Sequence, residues 1–233
     1  MMVDDSKMPR RILHTSDLHL ESLNDKGCRS LEAIIDIAIK VNVDLCIIAG
    51  DLFGHNRVND NLVSFVVKQL RRLPAYAVLL PGNHDCLAPE SVYHRAELWR
   101  DANNIRVFQA PQGETLPFPG LLVWGKPLTS YTGTLRPLAG VSQHQGGGQW
   151  HIAVAHGYYV DTEPALFPSY NITREEIISA NQDYIALGHV AAFRRVCDES
   201  VKVYYSGAPQ VCGTVNIVNL KEKTGVQVTR YPL

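Results

Sequence analysis

The chain has 233 residues with a formal net charge of −1, 45% apolar and 19% charged, a composition that supports one sizeable globular core and excludes a disordered polymer. No global basic excess draws it to nucleic acid or to a membrane surface, and no apolar run approaches the roughly 20 residues that a membrane helix needs. The five cysteines, Cys28, Cys46, Cys86, Cys197 and Cys212, are scattered without a C-x-x-C pair, which points to a reducing, cytoplasmic setting rather than a disulfide framework.

Residues 1–9 lack the apolar stretch of a signal peptide and read as a disordered tail before a single domain at 10–233. An apolar strand from Arg11 to Ser16 comes first. A helix is predicted over Ser30–Val43, where Leu31, Ile34, Ile35 and Ala38 share one face. Strand Leu45–Ala49, helix Asp60–Leu73, strand Ala77–Leu80 and helix Ser91–Asn103 follow. This alternation implies parallel strands with helices on the faces. The second half changes character. Short strands at Ile105–Gln109 and Leu121–Trp124 flank the Pro/Gly-rich stretch Pro111–Gly120, and Gln143–Gln149 reads as a flexible loop. Strands Ile152–Ala155 and Tyr184–Leu187 enclose a helix over Arg174–Asn181, with Thr173 as N-cap and Glu176 completing a capping box. Two hairpins, Phe193–Tyr205 and Thr214–Tyr231, close the chain.

Chemistry-bearing residues sit just after these strands: Asp17 and His19, Asp51, Asn83-His84-Asp85, His156 and His189. In an open α/β sheet, residues past the carboxyl ends of strands share one crevice. Carboxylate, amide and imidazole donors without thiolates suit Mn, Fe or Zn, and the set is large enough for two ions. A pair of ions about 3.5–4 Å apart needs a bridging ligand, and Asp51 is the natural one. Occupancy falls at acid pH, because aspartates must be charged and histidines neutral to bind. His84, beside Asn83, is placed as general acid or transition-state stabiliser, with Asp85 orienting it. His55 and Arg194 are candidate substrate contacts, and Tyr158 and Tyr159 could stack on a base.

The ordered set D-x-H at 17–19, G-D at 50–51, G-N-H-D at 82–85, His156 and Gly188-His189 resembles the calcineurin-like metallophosphoesterase superfamily. Within it, Leu13-His14-Thr15-Ser16-Asp17-Leu18-His19-Leu20, Ala49-Gly50-Asp51-Leu52-Phe53 and Tyr184-Ile185-Ala186-Leu187-Gly188-His189 look like the SbcD-type DNA repair exonucleases. The resemblance implies a four-layer αββα sandwich, with two mixed β-sheets flanked by helices. It also implies a phosphodiesterase using two divalent ions, Mn2+ first and Fe2+ or Zn2+ as alternatives, on a DNA or RNA substrate. An ATPase partner is implied by the resemblance alone, and the DNA-capping domain and ATPase-binding helices of longer relatives are expected to be absent after the last hairpin.

One departure bears on the metals. The superfamily motif is G-H-x-H, whereas this chain reads Gly188-His189-Val190-Ala191. The resemblance assigns the missing histidine to the ion held by Asp17 and His19, and leaves Asp51, Asn83, His156 and His189 on the other. The first site is therefore expected to be weaker, by at least the roughly 10–100-fold that loss of a supporting partner costs. Two other readings stand beside the nuclease: a small-molecule phosphatase or cyclic-nucleotide phosphodiesterase, favoured by the near-neutral charge, and a non-catalytic scaffold with an eroded site.

Overall fold

The computed structural model describes residues 7–100, 102–141, 147–161 and 169–233. Its first half contains β1 (Arg10–Thr15), α1 (Lys26–Lys40), β2 (Leu45–Ile48), α2 (Asp60–Leu70), β3 (Tyr76–Leu79), α3 (Ala96–Trp99) and β4 (Ile105–Val107). Then come β5 (Glu114–Phe118), β6 (Leu121–Gly125), β7 (Trp150–His156), β8 (Tyr159–Val160), β9 (Ile172–Thr173), α4 (Arg174–Ala180) and β10 (Tyr184–Gly188). The chain finishes with β11 (Arg194–Asp198), β12 (Lys202–Tyr205), α5 (Pro209–Cys212), β13 (Thr214–Lys221) and β14 (Gly225–Pro232).

Period-two alternation explains the architecture. Ile12, Leu45 and Ile47 point to one side of their strands, and Leu13, Cys46 and Ile48 to the other, yet all are buried. The first group packs against Ile152, Val154 and Ala186 of a second sheet. The second packs under Leu31, Ile34, Leu62 and Val66 of α1 and α2. A strand covered on both faces reads as a continuous apolar run, which is how these strands look in the sequence. The two six-stranded mixed sheets have the orders β14-β13-β1-β2-β3-β4 and β11-β12-β10-β7-β6-β5. The outer face of the second sheet carries Ala153, Ala155, Ile185 and Leu187 against Ile177 and Ala180 of α4. The result is the expected sandwich: two sheets face to face with helices on the outside.

Several boundaries differ from the sequence reading. Helix α1 begins at Lys26 rather than Ser30 and ends at Lys40, because Asn42 turns into the left-handed region with φ 52°. The helix expected over Ser91–Asn103 is broken into a 3-10 turn at Val92–His94 and the four-residue α3. Arg95 causes the break: at φ −75°, ψ 70° it leaves helical geometry and gives its guanidinium to the Val58 and Asn56 carbonyls. The stretch Pro111–Gly120 holds strand β5, antiparallel to β6 and at the sheet edge, where Pro117 is tolerated because no further strand needs its amide. The capping box of α4 is present as expected, with Thr173 and Glu176 bonding reciprocally. Of the nine residues expected to form a tail, residues 1–6 lie outside the described set, as do 143–146 of the Gln143–Gln149 loop. Lys7 forms an ion pair with Asp183 at 2.9 Å, and the Trp150 indole donates to the Met8 carbonyl.

Candidate metal centre

The segments leaving β1, β2 and β3 meet those leaving β7 and β10, so both sheets open on one cleft. Asp17 N–H donates to the Gly50 carbonyl, and His19 N–H to that of Asp51, each at 3.0 Å. Of the seven non-glycine residues with left-handed φ among the described residues, four are candidate ligands: Asp17 (57°), His19 (46°), Asp51 (53°) and His189 (97°). Such conformations cost of order 1–3 kcal/mol each and gather at functional sites, where the surroundings impose them. Two glycines permit the close approach. A Cβ on Gly50 would stand 2.0 Å from His156 Nδ1, and one on Gly188 would stand 1.8 Å from the Ala49 carbonyl oxygen.

The side chains converge in two overlapping groups. In one, donor atoms of Asp17, Asp51 and His156 lie within 4.8 Å of one another; in the other, those of His19, Asp51 and His84 do so. Asp51 belongs to both. Asn83 Oδ1 lies 3.0 Å from His156 Nε2 and 2.9 Å from His189 Nδ1, and the two ring nitrogens are 3.3 Å apart. Asp51 Oδ2 is 3.2 Å from His156 Nε2. The ring atoms facing away are also held. His156 Nδ1 meets the Ala49 carbonyl at 2.8 Å, and His189 Nε2 meets Ser169 Oγ at 2.9 Å. Ligating histidines are commonly oriented in this way, the far nitrogen tied down and the near one left as a lone pair.

Charge in the cleft is unbalanced toward the negative. Burial raises the Asp17 carboxyl; His156 opposes this and the neighbouring Asp51 adds to it. Burial would raise Asp51 too, but His156 and the His84 amide outweigh it and hold the group below the usual carboxylate range. Burial alone would lower His156, yet Asp51 and Asp17 carry it to about 9. His189 is lowered to about 4, first by burial and then by His156. Two adjoining buried carboxylates demand positive charge, which a protonated His156 supplies. A divalent cation meets the same demand and displaces that proton. Carboxylate, amide oxygen and imidazole are the donors such cations take.

Other expected residues fall in different places. His84 is at the rim, its Nδ1 3.1 Å from the Gly54 carbonyl and its ring edge-on to His19 at 4.7 Å. The expectation that Asp85 orients His84 is corrected by its surroundings. Asp85 is fully buried, and its carboxylate accepts from Gly82 N–H, Phe53 N–H and the Tyr93 hydroxyl. It fixes the loop that carries Asn83 and His84, and burial followed by the nearby Asp51 raises it to about 6. His55 follows Gly54, and its Nδ1 accepts from Arg57 N–H. Arg194 lies over the Tyr159 ring at 5.5 Å, packed on the second sheet rather than brought to the donor groups. Ala191 contributes only a methyl at the position where the resemblance leads one to expect imidazole, and its carbonyl accepts from Ala208 N–H. Sequence reasoning did not single out Ser169, the Gly54 carbonyl or Asn56. A serine and a main-chain oxygen carry no motif, and Asn56 shows its role only through its partners.

A family model described as calcineurin-like phosphoesterase matches residues 10–200. The chain belongs to that family. The matched domain is that of metal-dependent phosphoesterases, hydrolases of phosphoric ester bonds. The chain is 25% identical over 223 residues to the uncharacterized metallophosphoesterase YhaO of Bacillus subtilis (strain 168), covering 85% of this chain and 52% of YhaO. It is 25% identical over 258 residues to the DNA double-strand break repair protein Mre11 of Saccharolobus solfataricus, covering 91% of this chain and 68% of Mre11. The chain thus spans about half of one relative and about two thirds of the other. Among solved structures, TT1561 of Thermus thermophilus shares the fold with a TM-score of 0.64 at 12% identity, covering 96% of this chain and 99% of its own. A novel archaeal phosphodiesterase shares it with a TM-score of 0.52 at 19% identity, covering 95% of this chain and 99% of its own. No helix among the described residues is long and apolar enough to cross a membrane.

Proposed function

We propose that this phosphoesterase cleaves phosphodiesters through a dinuclear centre, with Mn2+ the preferred ion and a nucleic acid or nucleotide-like diester the substrate. The observation that carries this reading is Asp51. Its Oδ2 lies 3.8 Å from His19 Nε2 and 3.2 Å from His156 Nε2, so one carboxylate faces a ligand of each proposed ion, as a shared ligand must. Asp17, His19 and Asp51 would hold one ion; Asp51, Asn83, His156 and His189 would hold the other. Bound divalent ions would polarise the phosphoryl group and make water acidic enough to attack near neutral pH.

The chain's own groups do the rest. His156 Nδ1–H donates to the Ala49 carbonyl, which leaves Nε2 toward the cleft. Ser169 holds the far nitrogen of His189 in the same way. With Nδ1–H donated to the Gly54 carbonyl, His84 presents Nε2 to the substrate, where the imidazolium form can pass its Nε2 proton to the departing oxygen or stabilise the phosphoryl charge. Asp85 is a positioning residue that fixes the loop bearing His84. The DNA-repair relative Mre11 and the archaeal phosphodiesterase of the same fold support a diester substrate. A cytoplasmic location and an ATPase partner belong to the same reading.

A small-molecule phosphatase or cyclic-nucleotide phosphodiesterase is the second reading, and the net charge of −1 favours it. The deciding experiment compares a labelled single-stranded oligonucleotide with 2′,3′- and 3′,5′-cyclic nucleotides at equal phosphate concentration in Mn2+. Slow cleavage of the oligonucleotide with a shallow salt dependence is expected, since few phosphates are neutralised. Turnover of cyclic nucleotides or monoesters alone would remove the nuclease reading. No turnover with Mn2+, Fe2+, Zn2+ or Mg2+ would mark Ala191 as the sign of a retired site.

A further inference from the structure

Tyr131, on the loop after β6, is anchored by the end that surface tyrosines usually leave in water. The residue is 58% exposed, yet its hydroxyl accepts a hydrogen bond at 3.0 Å from the buried Asn56 amide. A tyrosine at a surface ordinarily buries its ring and wets its hydroxyl; here the polar end is tied and the ring is wet. The amide that ties it is fully engaged. Asn56 Nδ2 also donates to the Cys86 carbonyl at 2.9 Å, and Oδ1 accepts from Val92 N–H at 3.0 Å.

Both anchor points flank His84. Asn56 comes two residues after Gly54, whose carbonyl holds the His84 ring, and Cys86 comes two residues after His84. The preceding residue reaches the other end of the cleft: the Ser130 carbonyl accepts from the Tyr170 hydroxyl at 3.0 Å, and the Tyr170 ring meets His189 edge-on at 5.9 Å. The short loop is therefore fastened to both ends of the metal centre, with one ring facing solvent between the fastenings. A second exposed ring, Tyr158 at 44%, follows His156 by two residues and donates its amide to the Ser169 and Tyr170 carbonyls.

An exposed ring already immobilised loses little freedom when a flat partner covers it. Stacking on a base tolerates any sequence and needs no cationic surface, which suits a chain of net charge −1. We propose that Tyr131 is a stacking platform for a nucleobase carried by the diester that the metal centre cleaves, with Asn56 fixing the ring. The proposal rests on the diesterase reading and narrows its substrate to diesters bearing a base next to the scissile phosphate.

The test compares thymidine 5′-(p-nitrophenyl phosphate) with methyl p-nitrophenyl phosphate in Mn2+. The two share a leaving group and differ in the nucleoside, which carries the base. Tyr131→Ala should raise the ratio of their KM values by roughly 5- to 150-fold, the range that loss of one base–aromatic stack produces. Tyr131→Phe, which keeps the ring but loses the tie to Asn56, should recover part of that ratio. A second readout needs no turnover: a 2-aminopurine dinucleotide with a methylphosphonate linkage should lose fluorescence on binding to the native chain and to Tyr131→Phe, but not to Tyr131→Ala. If the native enzyme cleaves both diesters while Tyr131→Ala alters neither the ratio nor the quench, the platform is wrong and the diesterase reading stands. If neither diester is cleaved, the diesterase reading fails, and the quench alone upholds or overturns the platform.

Discussion

His84 is the residue at which binding and turnover should separate. Its ring is positioned by a main-chain carbonyl, so removing it disturbs neither the Asn83 amide nor the His156 and His189 rings. His84→Ala should retain metal by elemental analysis and lose at least 100-fold in kcat on bis-p-nitrophenyl phosphate, roughly the lower range of a proton-transfer contribution. Asp51→Ala should lose both, because that carboxylate faces ligands of both proposed ions. An active His84→Ala enzyme would remove the assignment. The residue Ala191 supports a second prediction. Calorimetric titration with Mn2+ should resolve two unequal sites, and Ala191→His should tighten the weaker by roughly 10–100-fold. Two equally tight sites in the native chain would mean that another group, such as Glu21, completes the first. The convergence of the candidate ligands was readable in the sequence, since aspartate, asparagine and histidine stand at successive strand ends that share one cleft. Asp85 was misjudged for the opposite reason. Its position beside His84 in the chain gave no hint that its carboxylate turns inward to Gly82, Phe53 and Tyr93.

At the scale of elements, α4 shows local chemistry acting as written. Its seven residues are too few to be stable alone, so the reciprocal bonds of Thr173 and Glu176 matter to its start. Thr173→Ala should cost about 1 kcal/mol, seen as a lower urea midpoint at unchanged slope, with Thr173→Ser recovering most of it. A loss below a few tenths of a kcal/mol would show that packing of Ile177 and Ala180 alone sustains the helix. The long strands and the first two helices were legible because buried stripes impose periodicity. The stretch 91–103 was not, because its apolar residues keep helical spacing while Arg95 bonds outward to the loop that holds Asn56. Strand β5 was hidden by its proline, which an edge position accommodates and an interior one would not.

For the whole molecule, the inter-sheet layer contains a buried histidine that the site does not use. His14 is wholly buried, its Nδ1 accepts from the Tyr184 hydroxyl at 2.8 Å, and burial lowers it from 6.5 to about 3. The unfolded chain takes a proton at this residue below pH 6.5 and the folded chain does not until about pH 3, so stability is lost as pH falls through that window. His14→Gln should flatten the acid side of the stability curve by up to about 1.4 kcal/mol per pH unit, whatever it costs at pH 7. Parallel curves for the two proteins would show that His14 is protonated when folded. The cleft adds a coupling of another kind. Asp17, His19, Asp51 and Asn83 follow strands of one sheet, while His156 and His189 belong to strand ends of the other. Ions bound there would rivet two layers that otherwise meet through side-chain packing and hydrogen bonds such as those of His14 with Tyr184 and Ser16 with Ser206, so ion affinity and layer docking share one free energy and each must report on the other. Ile152→Ala, a substitution in the inter-sheet layer four residues before His156, should therefore weaken ion binding, and saturating Mn2+ should conceal part of that variant's instability.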